Sequence, residues 1–201
     1  MNNLAAYVLA GGKSTRMGTD KAFLPWGTGT LLEHALSLAG AVATHVSILG
    51  DAGKFARFGP VIGDLYPSRG PLGGIHAALV SSTSQWNLLI AVDLPFLRPQ
   101  FLDYLTTRAR ESGAAVIVPR AGGGFQPLCA VYQREFARIA EQSLAEGKNK
   151  IDPLFGQVKT RIIDEVELVR DGFSPEMFRN LNTPEDLEHA RRVSIRPERS
   201  E

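Results

Sequence analysis

Short, unbroken apolar runs alternate with segments of helical periodicity along most of this chain, and this alternation constrains the fold most strongly. Residues 4–9, 46–49, 87–92 and 114–118 are rich in aliphatic side chains and show no apolar–polar alternation. Strands that are covered on both faces have this character, whereas strands with one face in water alternate. The chain therefore predicts βα units around a mostly parallel sheet.

Apolar residues at helical spacing lie between these runs and predict helices that pack on the sheet. The three clearest stripes are Leu32, Ala35, Leu36 and Ala39; Phe101, Leu102 and Leu105; and Phe136, Ile139, Ala140 and Leu144. Residues 126–132 and 160–163 read as two further strands, which we expect as antiparallel additions at the sheet edge. The glycine-rich stretch 70–75 is expected to open a helix that continues to Leu79.

The C-terminal region carries a clear helix start. Residues 183–186 read TPED, with a capping threonine, proline at the first helical position and an acid three residues after the cap. This pattern predicts a helix to about Val193, and Ser174 begins a similar signal. Residues 196–201 are polar and lack an apolar anchor, so we expect a disordered tail. Without a linker or repeat, residues 1–195 are expected to form a single domain.

Charge and cysteine usage exclude several classes of function. Twenty-two basic and 21 acidic side chains leave a formal charge of +1, which argues against a broad surface for nucleic acid or an anionic membrane. The single cysteine, Cys129, cannot form an internal disulfide, and the N-terminus lacks the features of a signal peptide, so a cytoplasmic location is expected. The four histidines show no metal-ligand spacing, and we expect them and Cys129 to be structural.

The most informative segment follows the first apolar run, where residues 9–21 read LAGGKSTRMGTDK. Glycines let backbone N–H groups approach phosphate oxygens, which a β-carbon would prevent. Lys13, Arg16 and Lys21 add three cations, and an arginine can bind one phosphate through two parallel hydrogen bonds. We interpret this segment as a polyphosphate-binding loop; the alternative is a flexible surface loop with solvated charges.

Two familiar phosphate motifs do not fit this loop. The Walker A motif would require a glycine at position 7, where the chain has Tyr7. The dinucleotide fingerprint would require a glycine where the chain has Lys13. A P-loop ATPase and a Rossmann dehydrogenase are therefore both disfavoured.

Two aspartates follow apolar runs and are candidates for ligand contacts. Asp93 comes directly after residues 87–92, and the carboxyl ends of parallel strands line the ligand crevice of open α/β sheets. Mg²⁺ is commonly held by one or two carboxylates together with substrate phosphates, so Asp93 is the metal candidate. Alternatively, Asp93 caps the helix near Pro99 or fixes a turn. Asp64 is a candidate for a contact to a base or ribose; the alternative is that it lies in a surface turn. The glycines of residues 70–74 would let the backbone approach a flat ligand; the alternative is a tight turn.

Five motifs occur in a fixed order: residues 9–21, GPLGG at 70–74, DLP at 93–95, QPL at 126–128 and NLNTP at 180–184. Together they resemble the molybdenum cofactor guanylyltransferase family of the nucleotidyltransferase superfamily. The resemblance implies a Rossmann-like three-layer α/β/α sandwich with a mostly parallel central sheet. It also implies transfer of GMP from GTP to molybdenum-molybdopterin, with Mg²⁺ as cofactor, giving molybdopterin guanine dinucleotide and pyrophosphate. Other molybdenum-cofactor proteins are expected as partners.

The family pattern also implies roles for individual residues. Those assigned to GTP are Leu9, Ala10, Gly11, Gly12, Lys21, Asp64 and Asp93. Asp93 would also hold Mg²⁺, Arg16 and Lys21 would serve the phosphates in catalysis, and Asn180 and Asn182 would contact the pterin substrate. Some members carry a polar nucleoside contact after the second strand, where this chain has residues 49–51 reading LGD, and that contact is not carried over.

This chemistry needs no general base. The attacking group would be a terminal phosphate, whose second pKa near 6 leaves it largely ionised at neutral pH. Alignment and charge stabilisation by Mg²⁺ and the loop cations can then carry catalysis. A cytidylyltransferase of the same fold and a non-catalytic nucleotide-binding module remain as alternatives. Nucleotide selectivity would distinguish a cytidylyltransferase from a guanylyltransferase, and pyrophosphate release would distinguish an enzyme from a non-catalytic binding module.

Overall fold

The computed structural model describes residues 3–11 and 20–181, together with Asp186. Its strands are β1 (Leu4–Leu9), β2 (Pro25–Trp26), β3 (Gly29–Thr30), β4 (His45–Leu49), β5 (Val61–Ile62), β6 (Trp86–Ala91), β7 (Val116–Ala121), β8 (Gly124–Phe125), β9 (Cys129–Gln133) and β10 (Thr160–Ile163). Its α-helices are α1 (Leu31–Gly40), α2 (Ala52–Phe55), α3 (Pro71–Ser81), α4 (Pro99–Ser112), α5 (Phe136–Ala145) and α6 (Glu165–Arg170). Short 3₁₀ turns span Lys21–Phe23, Asp152–Gln157 and Pro175–Phe178. Each apolar run and each helical stripe of the sequence analysis falls on one of these elements.

One sheet crosses the molecule in the strand order β10-β7-β9-β6-β1-β4-β5, and β8 pairs with the end of β7. The central strand β1 pairs in parallel with β4 on one side and β6 on the other. Its alternate residues point to opposite faces: Ala6 and Val8 enter one buried cluster, and Ala5 and Tyr7 enter the other. The predicted mostly parallel central sheet, buried on both faces, is therefore confirmed.

Two strand predictions were wrong in part. β9 is antiparallel as expected, but it lies in the sheet interior between β6 and β7 instead of at the edge. Its residues Cys129 to Tyr132 are fully buried, which suits an interior strand. β10 lies at the edge as expected, but it is parallel to β7. The connection between β9 and β10 runs through α5 and a 3₁₀ turn, and a connection of that length allows either direction.

Helices cover both faces of the sheet. The apolar sides of α1 and α4 pack into one core cluster, and those of α3 and α5 pack into the other. This arrangement confirms the predicted three-layer α/β/α architecture. Helix α1 connects β1 to β4, and helix α3 leads into β6, the other neighbour of β1. These two helices pack on opposite faces of the sheet. In open α/β sheets such a change of face leaves a crevice at the carboxyl ends of the strands.

Local signals set the helix ends. In α1, the Glu33 N–H donates to Thr30 Oγ1 at 3.3 Å and the Thr30 N–H donates to Glu33 Oε2 at 2.8 Å, which forms a capping box. In α4, Pro99 occupies the first position and Gly113 ends the helix with a φ of 58°. The capping box of α1 satisfies backbone N–H groups that a helix start leaves without partners, whereas Pro99 has no N–H group to satisfy at the start of α4.

The C-terminal region is described as far as Leu181, with Asp186 beyond it. Ser174 caps a helix start as predicted, but it opens only the 3₁₀ turn Pro175–Phe178, because the chain becomes extended at Arg179. The predicted helix from Thr183 to Val193 and the tail at 196–201 fall outside the described residues, and the single domain over 1–195 remains a prediction. None of the helices in the described ranges has the length and apolar character that crossing a bilayer requires.

Candidate active site

A cavity of about 560 Å³ opens at the carboxyl ends of β1, β4 and β5. It is bounded on one side by the start of α3 and on another by α2. Its lining residues are Leu9, Ala10, Gly11, Asp20, Leu49, Gly50, Asp51, Lys54, Phe55, Asp64, Ser68, Gly70 and Pro71. The cavity thus lies at the crevice that the change of helix face predicts, and its size is in the range of small-molecule sites, about 300 to 1,000 Å³.

The end of β1 is fixed by hydrogen bonds to β4. The N–H groups of Ala10 and Gly11 both donate to the Leu49 carbonyl, each at 3.0 Å. These two donors are therefore engaged within the protein, so they cannot serve a phosphate while this contact stands. Within the segment 9–21, a backbone N–H contact to a phosphate would have to come from a residue after Gly11. Gly12 and Arg16, both predicted for nucleotide binding, fall outside the described residues.

Lys21 and Asp93 face each other; neither lines the cavity, but Lys21 directly follows Asp20, which does. Lys21 begins the 3₁₀ turn after residues 12–19, and Asp93 follows β6. Lys21 Nζ lies 3.5 Å from Asp93 Oδ2, and the two side chains are 19% and 24% exposed. The structure thus brings together a cation and a carboxylate that are far apart in sequence. The alternative that Asp93 caps α4 is excluded, because Arg98 holds the cap position and no side chain caps that helix.

A second ion pair crosses the wall of the cavity. Lys54 of α2 lies 2.9 Å from Asp20 Oδ2, and the Ala22 N–H donates to Asp20 Oδ1 at 3.3 Å. The hydrogen bond with Asp20 raises the pKa of Lys54. Asp20 therefore ties α2 to the turn that carries Lys21. Neither partner stands out in the sequence as a site residue. The local signal was Asp51, which caps the start of α2, the helix that carries Lys54, by accepting from the Gly53 N–H at 2.7 Å.

Asp64 lies at the rim of the cavity, two residues after β5. Its Oδ1 would be 3.8 Å from a β-carbon on Gly74, so the carboxylate stands against the first turns of α3. Partial burial raises the pKa of Asp64 above its ordinary value. The side chain is therefore placed to accept hydrogen bonds from a ligand in the cavity.

The glycines of residues 70–74 have different roles. Gly70 lines the cavity with a φ of 66°, which favours glycine. Gly73 and Gly74 are buried: a β-carbon on Gly73 would lie 3.1 Å from the Tyr66 carbonyl oxygen, and one on Gly74 would lie 2.7 Å from Leu9 Cδ1. The idea that this whole stretch offers backbone to a flat ligand is thus wrong for Gly73 and Gly74, which let α3 pack closely on its neighbours.

The C-terminal segment reaches Asp93. The Leu181 N–H donates to the Asp93 carbonyl at 3.1 Å, and the Leu181 side chain is fully buried. The neighbouring Asn180 is exposed beside this contact. Two predicted groups of residues, the DLP motif and the NLNTP segment, therefore meet at one place. Asn182, the second predicted pterin contact, falls outside the described residues.

The donor set at Asp93 suits one mode of magnesium binding. Within the described ranges, His, Cys, Asp and Glu side chains form no group of three that could hold a metal by themselves. Mg²⁺ usually keeps several waters and binds one or two carboxylates plus substrate phosphates. A single, partly exposed carboxylate beside a cationic side chain is compatible with that mode and incompatible with a metal site built from protein ligands alone.

Three of the residues expected to be structural lie away from the cavity. Cys129 is fully buried, and burial raises the pKa of its thiol. His76 is buried at the α3 side of the sheet, its ring 5.2 Å from that of Tyr66. His34 Nε2 lies 3.0 Å from the Pro95 carbonyl oxygen. None of these side chains lines the cavity.

Comparison with known proteins decides the family. A family model for the MobA-like NTP transferase domain matches residues 6–160. The chain belongs to this family. The predicted resemblance is thereby confirmed, and so is the expectation of a nucleotidyltransferase.

Curated members of the MobA-like family extend the match to nearly the whole chain. A protein from Carboxydothermus hydrogenoformans named "Probable molybdenum cofactor guanylyltransferase" is 33% identical over 94% of this chain and 95% of its own length. A protein from Syntrophotalea carbinolica named "Molybdenum cofactor guanylyltransferase" is 32% identical over 94% of this chain and 90% of its own. The crystal structure of molybdopterin-guanine dinucleotide biosynthesis protein A from Archaeoglobus fulgidus superimposes with a TM-score of 0.82 at 24% identity, covering 94% and 98% of the two chains, which shows a shared fold.

Proposed function

We propose that this protein transfers GMP from GTP to molybdenum-molybdopterin, forming molybdopterin guanine dinucleotide and pyrophosphate. The observation that carries the proposal is the Lys21–Asp93 pair beside a cavity at the strand ends, in a chain whose curated relatives are named for this reaction. The cavity would hold the nucleoside, and the paired charges would meet the phosphates. The C-terminal segment at Asp93 would border the acceptor.

In this proposal the cavity walls select the nucleoside. Leu9 ends β1 and is followed by Ala10 and Gly11, and these three residues line the cavity. Asp64, two residues after β5, also lines it. Guanine presents N1–H and N2–H donors beside an O6 acceptor, and a carboxylate such as that of Asp64 matches the two donors. Adenine does not present the same pattern. A buried group left unpaired by the wrong base costs about 1 to 3 kcal/mol, so one or two contacts give a strong preference.

The phosphates would lie against the cations. Lys21 is held near Asp93 in the described structure, and Arg16 is proposed to join it on the phosphates. Asp93 would hold Mg²⁺ together with phosphate oxygens, and the ion when bound would offset negative charge at the reacting phosphoryl group. Lys21, within reach of the same carboxylate, would keep that carboxylate oriented toward the phosphates.

The proposed reaction is a direct displacement at phosphorus. An oxygen of the terminal phosphate of molybdopterin attacks the α-phosphorus of GTP, and the bond to the bridging oxygen of the β-phosphate breaks. Pyrophosphate leaves with that electron pair. Because the attacking phosphate is already largely ionised at neutral pH, Lys21, Arg16 and Asp93 need only align and neutralise charge. Asn180 and Asn182 are proposed to bind the pterin end of the acceptor.

The experiment is an Asp93→Asn substitution with Asp103→Asn as the matched control, since Asp103 is an exposed aspartate of α4. We expect Asp93→Asn to lower GTP-dependent pyrophosphate release at least about a hundredfold and to keep the circular dichroism spectrum of the parent. The control should retain parent activity. Parent turnover by Asp93→Asn across a magnesium titration would contradict the metal role.

Nucleotide choice is tested by competition calorimetry with GTP, CTP and ATP in magnesium. We expect GTP to bind at least about tenfold more tightly than either competitor. CTP binding as tightly as GTP would favour a cytidylyltransferase of the same fold. Tight binding of GTP without pyrophosphate release in the presence of molybdopterin would favour a non-catalytic nucleotide-binding module.

A further inference from the structure

Three hydrogen bonds from three separate parts of the chain hold the segment that carries Asp93. The Val92 N–H donates to the Leu9 carbonyl at 3.1 Å, which joins the segment to β1. The Leu181 N–H donates to the Asp93 carbonyl at 3.1 Å, which joins it to the C-terminal segment. The third bond comes from a side chain, His34 of α1, whose Nε2 lies 3.0 Å from the Pro95 carbonyl oxygen.

The chemistry of the third contact fixes the state of His34. A carbonyl oxygen only accepts, so Nε2 carries the proton whichever charge the ring has. Burial lowers the pKa of His34, and the bond to the Pro95 carbonyl raises it by less, so the net shift favours the neutral ring. His34 therefore supplies a hydrogen-bond donor to the Pro95 carbonyl in either charge state of the ring.

Packing holds the imidazole in place. The ring of Trp26 lies 6.1 Å from that of His34, and the same indole meets Phe96 edge-on at 5.7 Å. Phe96 directly follows Pro95, so one aromatic residue braces both partners of the hydrogen bond. The donor and the acceptor are thus both fixed, although they lie on α1 and on the loop after β6.

We propose that His34 is a positioning residue for Asp93, an inference that rests on the proposed function. Pro95 is two residues from Asp93, and the fixed φ of proline leaves fewer backbone rotations to absorb a shift of the Pro95 carbonyl before it reaches Asp93. Loss of the donor from His34 would remove the side-chain hydrogen bond that restrains this carbonyl. Partners that orient a metal-binding group commonly change metal affinity or activity by about 10- to 100-fold when removed.

Two substitutions separate the hydrogen bond from the packing. His34→Phe keeps an aromatic ring against Trp26 and removes the donor, whereas His34→Gln keeps an amide donor close to the position of Nε2 and removes the ring. His45→Phe and His45→Gln are matched controls at an exposed histidine at the start of β4. A positioning role predicts that His34→Phe is impaired and His34→Gln is rescued. A packing role alone predicts the reverse order.

The first measurement is the binding of Mn²⁺, as a probe for Mg²⁺, in the presence of a non-hydrolysable GTP analogue, followed by electron paramagnetic resonance. We expect His34→Phe to weaken Mn²⁺ binding about tenfold or more, with His34→Gln within about threefold of the parent and the controls unchanged. In steady-state assays His34→Phe should lower kcat with little change in the KM for GTP. Hydrogen exchange at the Leu181 amide should accelerate in the same variant.

The outcomes distinguish this inference from the proposed function. If the parent releases pyrophosphate and His34→Phe binds Mn²⁺ like the parent, the positioning role is wrong. Equal losses in His34→Phe and His34→Gln, or a parent that binds no Mn²⁺ with the analogue, also overturn it. If the parent shows no transfer from GTP but Mn²⁺ binding follows the expected order, the positioning role stands and the proposed function fails.

Discussion

The packing of Phe55 against Gly50 makes a quantitative prediction about the cavity wall. Both residues line the cavity, and Phe55 is 1% exposed. A β-carbon on Gly50 would lie 2.8 Å from Phe55 Cε2 and 3.0 Å from Cδ2. These separations are well inside van der Waals contact, and an aromatic ring with so little free space cannot turn away easily. Gly50→Ala must therefore displace the ring or the backbone.

We expect Gly50→Ala to cost about 1 to 3 kcal/mol, the usual range for overpacking a filled core. For a chain of this size each 1 kcal/mol lowers the melting temperature by about 2 to 4 °C, so a fall of about 2 to 12 °C is expected. Because Phe55 also lines the cavity, GTP affinity should fall in parallel. Thermal unfolding and calorimetry measure the two effects.

Gly40 provides a control for the general effect of alanine. Gly40 ends α1, and no atom lies within 4 Å of a β-carbon built on it. Alanine is favoured over glycine in helices by up to about 1 kcal/mol, so Gly40→Ala should be neutral or stabilising. Adding Phe55→Leu to Gly50→Ala should cost less than the sum of the single changes, because the smaller side chain relieves the contact. A melting temperature of Gly50→Ala equal to that of the parent would refute this reasoning.

Two further predictions concern single side chains. Lys54→Met keeps the side-chain stem but removes the charge that pairs with Asp20. GTP affinity should therefore fall about twofold to fivefold with little change in melting temperature. A lower melting temperature at unchanged affinity would show that the pair supports the fold and not GTP binding. Burial lowers the pKa of His76 below its ordinary value of 6.5, so near that pH the unfolded chain binds more protons than the folded chain. The free energy of unfolding should therefore fall as the pH drops from about 7 through 6.5 toward the pKa of the folded state. His76→Leu should reduce the loss of melting temperature between pH 7.5 and 5.5, and an unchanged loss would show that His76 does not contribute.

The parts of the fold that depend on periodicity were predictable from the sequence. β1 is buried on both faces, and its unbroken apolar run Leu4–Leu9 already indicated this. The placement of β9 was not predictable, because an apolar run indicates burial but does not say which strands lie on either side. The same limit applies to the direction of β10, since its connection through α5 allows either one.

At the candidate site, the sequence indicated which strands end near the cavity. It did not indicate which backbone and side-chain atoms there are free to contact a ligand. Asp93 and Asp64 both follow apolar strands; Asp64 lines the cavity, whereas Asp93 pairs with Lys21 outside the cavity lining. The engagement of the Gly11 N–H by Leu49 depends on the register between β1 and β4, which no local pattern records. Lys54 was missed for a similar reason: its partner Asp20 is 34 residues away, and only the packed fold brings them together.

The most direct test of the proposed function follows the α-phosphate of GTP. Purified protein is incubated with magnesium, molybdenum-molybdopterin and GTP labelled at the α-phosphate, and the products are separated and identified by mass spectrometry. We predict that the label enters molybdopterin guanine dinucleotide, with one pyrophosphate released for each label transferred. Label that appears only in free GMP or GDP, or that remains in GTP while the acceptor is unchanged, would contradict guanylyl transfer by this protein.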